Sequence, residues 1–186
     1  MTQAGSPEDP MADSKTPIDD LAEFLAHALE LAQAGSSYYE EIADSMELHH
    51  NAEIAGLFRR LQRLSAERAA AFATRSAGVE LPRIPPWGFH RHGLGGEDCG
   101  DYLAGEVSYE MTCVQALELV LQREACSQAF FLHQAAASRH VEVQRLATEI
   151  GHEAAQHLRL LQRLLGRERR RLKPRPADLD PPHVPA

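Results

Sequence analysis

Four stretches of this chain place apolar residues at steps of three and four. They come as two close pairs held apart by a long segment rich in Pro and Gly. Such spacing gathers side chains on one face of an α-helix, and each stripe must lie against another to leave water. The first runs Leu21, Leu25, Ala28, Ala32, Gly35, Tyr39, Ile42, Met46, a helix of roughly 30 residues and about 45 Å at 1.5 Å per residue. Thr16-Pro17 is expected to open it, with Thr16 as N-cap, Pro17 at the first helical position, and Asp19 and Asp20 near the positive helix end. Glu47-Leu48-His49-His50-Asn51 breaks the pattern, and Asn51 is the expected cap of a second helix. Its inward line is Ile54, Leu57/Phe58, Leu61, Ser65, Arg68, Phe72, and it stops at Ala77-Gly78.

Residues 79–111 change character, with Pro82, Pro85, Pro86, then Trp87-Gly88-Phe89-His90-Arg91-His92, then Gly93, Gly95, Gly96 and Gly100. At about 30 residues this exceeds an ordinary connection, so it is read as a crossover that packs on the bundle or serves a function. Thr112-Cys113-Val114-Gln115 spells a capping box opening a third helix, inward at Leu117, Leu121, Glu124, Gln128 and Phe131. A break near Ser138-Arg139-His140 precedes a fourth, inward at Val143, Leu146, Ile150, Ala154, His157, Leu161 and Leu164. It ends in Arg167, Arg169, Arg170, Arg171 and Lys173, cations that suit the negative helix terminus. That Arg-rich end reads either as a solvated helix end or as a dock for an acidic surface. The expected fold is all-α: an antiparallel four-helix bundle over 17–172 with the crossover 79–111 between helices 2 and 3. A disordered tail is expected over 1–16 and a Pro-rich one over 173–186. A weak internal repeat agrees, FRRLQRLSAERAAAF lying on ATEIGHEAAQHLRLL with Arg68 against His157, and AQAGSSYYEEIA on EACSQAFFLHQA with Ala32 against Glu124.

Composition narrows the function. Over 186 residues, 27 carboxylates stand against 19 Lys and Arg, a net charge of −8, which argues against a nucleic-acid or anionic-membrane partner. The opening MTQAGSPEDPMADSK is polar and acidic, and no stretch nears the ~20 apolar residues of a membrane span, so a cytoplasmic location is expected. Cys99, Cys113 and Cys126 form no CxxC pair and do not suggest a disulfide scaffold; a buried inert thiol is the expected state. Ten His beside many carboxylates are the raw material of a metal site.

The chain resembles the rubrerythrin-related branch of the ferritin-like superfamily over about residues 18–166. The likeness is carried by AHALELAQAGSSYYEEIADSMELHHNAEIAGLFRRLQRL, PPWGF, YEMTCVQALELVLQREACSQAFF and VQRLATEIGHEAAQHLRLLQRLL. The resemblance implies a ferritin-like bundle holding two irons through a Glu of helix 1, Glu-x-x-His of helix 2, a Glu of helix 3 and Glu-x-x-His of helix 4. Residues three apart share a helix face, so such a Glu and His reach one metal pair together. Laid on this chain, those positions fall on Ala32, on Ser65 and Arg68, on Glu124, and on Ala154 and His157. Only Glu124 and His157 keep ligand chemistry, while Tyr39, Phe58, Leu61, Phe131 and Leu161 hold the register. Arg68 is a permanent cation and ligates no metal.

Two arrangements are open for this layer. In one, Arg68 stands in for the metal and pairs with Glu124, with His157 or Ser65 alongside, since an unpaired buried carboxylate costs several kcal/mol. In the other, Arg68 reaches solvent, Glu124 takes a water and His157 is a core histidine. Glu153, at i, i+4 to His157 with Glu149 a turn away, is a weaker metal candidate beside the reading of a solvated face. His49 and His50 read as turn residues, His90-x-His92 as a two-ligand surface pair, Trp87 and Phe89 as anchors of the crossover, and Tyr39 as a core residue whose hydroxyl needs a partner. The expected function is a non-catalytic accessory or interaction protein without a cofactor and with a homodimer as its expected state. The alternatives are a rubrerythrin-type iron oxidoreductase and a mononuclear metal binder using Glu124, His157 and Glu153.

Overall fold

In the computed structural model, which describes residues 17–83 and 107–172, the four periodic stretches form α1 (Leu21–Leu48), α2 (Ala52–Arg75), α3 (Cys113–Ala137) and α4 (Val141–Arg171). No strand occurs among the described residues, and no described helix is long and apolar enough to cross a membrane. α1 packs chiefly on α2, and α3 on α4. The contacts between the pairs fix the directions. Ser138, after α3, donates its hydroxyl to the carbonyl of Ile18 at 2.7 Å, so the start of α1 meets the end of α3. Arg75 at the end of α2 pairs with Glu149 near the start of α4 at 2.6 Å, and Arg171 at the end of α4 lies 3.7 Å from Glu53 at the start of α2. The bundle is therefore antiparallel, and the connection between 83 and 107 joins its opposite ends. Residues 1–16, 84–106 and 173–186, with Thr16, His90, His92, Trp87, Phe89 and Cys99 among them, lie outside the described residues.

Local chemistry accounts for several helix ends. Thr112 accepts from the Gln115 amide while the Gln115 side chain accepts from the Thr112 amide, completing the capping box. Gly78, at φ +84°, takes the left-handed conformation that closes the turn after α2. Two ends differ from the sequence expectation. α1 begins at Leu21, and its cap is Asp20, which accepts from the Glu23 amide at 2.8 Å. The helix starts late because Ile18 is buried and held in extended chain: its amide donates to Gln134 at 2.8 Å and its carbonyl accepts from Ser138. Asn51 stands at the N-cap of α2 but makes no capping bond, because its amide group donates to the carbonyls of Tyr109 and Met111 instead. It ties the α1–α2 turn to the segment entering α3. His49 and His50 lie exposed in that turn, with His49 stacked on Tyr109 at 4.8 Å between ring centres.

The core is divided in two. At the α1–α2 turn, Tyr39, Ile42, Met46, Ile54, Phe58 and Leu117 lead one apolar cluster; at the other end Phe24, Leu25, Phe72, Phe131, Val143 and Ile150 lead a second. A polar layer lies between them. Phe58 is fully buried against Tyr39, with ring centres 6.0 Å apart. Phe58→Ala is expected to cost about 3–5 kcal/mol in urea unfolding, from lost apolar burial and the cavity left behind; a loss below about 1 kcal/mol would show that this end of the bundle collapses around the gap.

Candidate functional site

The helical phase sets four residues of the dividing layer toward the bundle axis: Ser65 and Arg68 from α2, Glu124 from α3 and His157 from α4. Glu124 is its centre, with a side chain only 7% exposed. A carboxylate so placed has lost its water and must be answered by donors. Arg68 donates from Nη1 to Oε2 at 2.9 Å, and Tyr39 donates its hydroxyl to Oε1 at 3.1 Å. His157 Nδ1 lies 3.2 Å from Oε2 and 2.8 Å from Arg68 Nη2. One ring nitrogen does not serve both neighbours at once. Carrying its proton, Nδ1 donates to Glu124; bare, it accepts from Arg68. Both states leave Glu124 ionised and surrounded.

The electrostatics follow from that packing. Burial alone drives the Glu124 carboxyl upward, but the hydrogen bond from His157 and the charge and hydrogen bond of Arg68 outweigh it and hold the pKa at about 2. Burial and the neighbouring carboxylate push the Tyr39 phenol well above its ordinary range, so it remains a donor. Arg123 stacks its guanidinium over Tyr38 at 4.6 Å and reaches Tyr39 at 5.7 Å.

Beside this layer, toward the Phe72 end, lies a cavity of about 90 Å³. Its walls include Ala32, Ser65 and Ala154, three small residues facing Arg68 and Glu124. Longer side chains at those positions would fill it. Glu153 stands exposed at its rim and makes no hydrogen bond or ion pair among the described residues, while Glu149 is taken by Arg75 and by Arg145 at 3.5 Å. No group of three or more His, Cys, Asp or Glu among the described residues is arranged to hold a metal.

Three features were not read from the sequence. The partner of the Tyr39 hydroxyl is Glu124, 85 positions away. Arg123 joins the site because it precedes Glu124 and turns to the tyrosine pair, a contact between residues too distant in sequence to signal it. Cys126 lines the cavity and is disulfide-bonded rather than an inert thiol, whereas Cys113 is free. Sequence spacing does not show whether two cysteines come close enough for their sulfurs to bond.

The antiparallel helices, the crossover joining opposite ends and the polar layer at mid-length define a ferritin-like four-helix bundle. The chain is similar to the crystal structure of COG1633, an uncharacterized conserved protein from Magnetospirillum magnetotacticum MS-1. The two share 31% identity at a TM-score of 0.63, over 80% of this chain and 95% of that one. The chain belongs to this COG1633 family, which is ferritin-like and rubrerythrin-related. No protein-family model and no curated protein matches it.

Arg68→Met strips the buried carboxylate of its cation. The Arg68 side chain is 36% exposed, so solvent screening reduces the cost of a broken buried pair to about 2–3 kcal/mol at pH 7. Glu124 has a folded pKa below its unfolded value, so its stabilisation is complete above about pH 4.5 and is lost as the pH falls toward about 2. Urea unfolding of both proteins from pH 7 to pH 3 is expected to show the gap narrowing with acid. A gap independent of pH would mean that Arg68 contributes packing and not charge.

Proposed function

We propose that this protein is a ferritin-like bundle whose central layer has exchanged a metal pair for an internal ion pair, and that it acts as a non-catalytic accessory or interaction protein. The observation that carries the reading is the guanidinium of Arg68 lying 2.9 Å from Glu124 and 2.8 Å from His157, the two side chains with ligand chemistry. A pair of ferrous ions brings about four positive charges and needs several carboxylates. The layer offers one buried carboxylate, already engaged by Arg68, Tyr39 and His157. A further cation beside Arg68 would meet repulsion in a low dielectric. Ala32, Ser65 and Ala154 stand where the resemblance sets three carboxylate ligands, and none of them ligates iron as a carboxylate does. The residues present do not fit a di-iron centre.

An interaction role has separate support on the surface. Arg159, Arg163, Arg167 and Arg170 recur along the exposed side of α4, and none makes an ion pair among the described residues. Leu160, beside them, is 52% exposed. Four unpaired guanidinium groups on one helix face suit an acidic protein surface, although the chain as a whole is acidic. A second copy of the chain is one such surface, in keeping with the homodimer expected from the sequence.

Metal analysis tests the proposal. Protein purified from iron-supplemented cells is expected to carry less than about 0.1 iron per chain, while a variant with Ala32→Glu, Ser65→Glu, Arg68→His and Ala154→Glu recovers up to about two. About two irons in the unmodified protein would overturn the reading and restore the oxidoreductase alternative.

A further inference from the structure

The space beside the ion pair has a chemistry of its own. Its two carboxylates are set apart from Arg123 and the Ser65 hydroxyl, one engaged in the ion pair and one at the rim. Glu124 is engaged by Arg68, by Tyr39 and, when Nδ1 carries the proton, by His157, and Glu153 is exposed at the rim. Arg123, half-buried, stacks on Tyr38 and has no carboxylate partner among the described residues. Ser65 is only 5% exposed, and its hydroxyl has no hydrogen-bond partner among the described residues. The hydroxyl lies 3.5 Å, and Arg123 Nη2 3.7 Å, from the point where a side chain at Gly35 would begin. A cation and a hydroxyl therefore converge on the bare backbone of Gly35, at the polar end of the cavity. At the other end the lining is apolar, from Ala32, Phe72, Phe131 and Ile150.

We propose that this cavity binds a small aliphatic monocarboxylate, its head group held by Arg123 and the Ser65 hydroxyl and its short tail by Ala32, Phe72, Phe131 and Ile150. The chemistry of the walls selects the class. An amine would face Arg68 and Arg123. A neutral alcohol would leave the Arg123 charge unanswered, and an inorganic anion would leave the apolar end without contacts. Arg68 and Glu124 cancel within the layer, Arg123 is the cation at the head-group end, and Glu153, the other charge of the lining, is exposed at the rim, where water screens it. The volume, about 90 Å³, is that of several waters at about 10–15 Å³ each and suits a tail of about two to four carbons. A guanidinium answers a carboxylate with paired N–H donors, and Arg123 is already oriented by its stack on Tyr38.

The inference rests on the layer being free of metal, so the test begins with elemental analysis of the sample used. Binding of butanoate to the full chain is then followed by saturation-transfer NMR and by the shift in melting temperature, with butylamine, butanol and formate in parallel. Butanoate is expected to bind with a Kd of about 1 mM or tighter, at least about tenfold better than the three controls. Arg123→Gln is expected to weaken it by about tenfold or more. Gly35→Ala, whose added carbon makes only ordinary contacts, is expected to keep the fold, checked by circular dichroism, while crowding the head-group position and weakening butanoate. Iron-free protein that shows no butanoate binding up to about 20 mM, or binds butanoate and butylamine equally, overturns the inference and leaves the metal-free reading standing. Unchanged affinity in Arg123→Gln overturns it too. Iron at about two per chain overturns both.

Discussion

The buried carboxylate of Glu124 is the constraint around which the middle of this bundle is arranged. A charge 7% exposed, between two apolar clusters, is tolerable only where donors replace the water it lost. Three helices supply them: Tyr39 from α1, Arg68 from α2 and His157 from α4. Glu124 itself comes from α3, so one layer draws a side chain from every helix and links the α1–α2 pair to the α3–α4 pair. Backbone contact between the pairs is sparse compared with contact within them, so side chains join the halves: this polar crosslink and, on either side of it, two apolar clusters that each draw on all four helices.

The cost of that arrangement is unfilled space. Arg68 reaches Glu124 with a long side chain, but Ala32, Ser65 and Ala154 present short ones to the same layer. Close packing is the ordinary state of a protein interior, and a persistent gap beside polar groups is filled by water or by a ligand. The apolar character of one end and the two donors at the other give that gap a polarity. A metal pair would have required the reverse, with acceptors converging on the centre.

Much of the fold was legible in the sequence because helices are written in local chemistry. The stripes placed Phe58, Leu117 and Val143 inside, Thr112 and Gln115 spelled out a capping box, and Ser138–His140 marked the turn into α4. Errors fell where distant residues intervened. Thr16-Pro17 promised an early helix start, yet contacts from Gln134 and Ser138 hold Ile18 extended. Asn51 had the chemistry of a cap and spent it on the carbonyls before α3. At the site, helical phase brought Ser65, Arg68, Glu124 and His157 to inward faces, but the roles of Tyr39 and Arg123 and the cavity were not visible.

By itself, the sequence determined four helices, their order, their buried faces and the residue types that meet mid-bundle, because a period of 3.6 residues is a local property. The tertiary structure alone decided which polar atoms touch. Arg68 and Glu124 are 56 residues apart, and Arg68 and His157 are 89. Whether a guanidinium reaches a carboxylate depends on the axial shift and rotation of whole helices to within about an ångström, and hydrogen bonds are that sensitive to distance. No local pattern encodes such offsets. They emerge when two apolar clusters pack on either side of a layer that must neutralise its own charge.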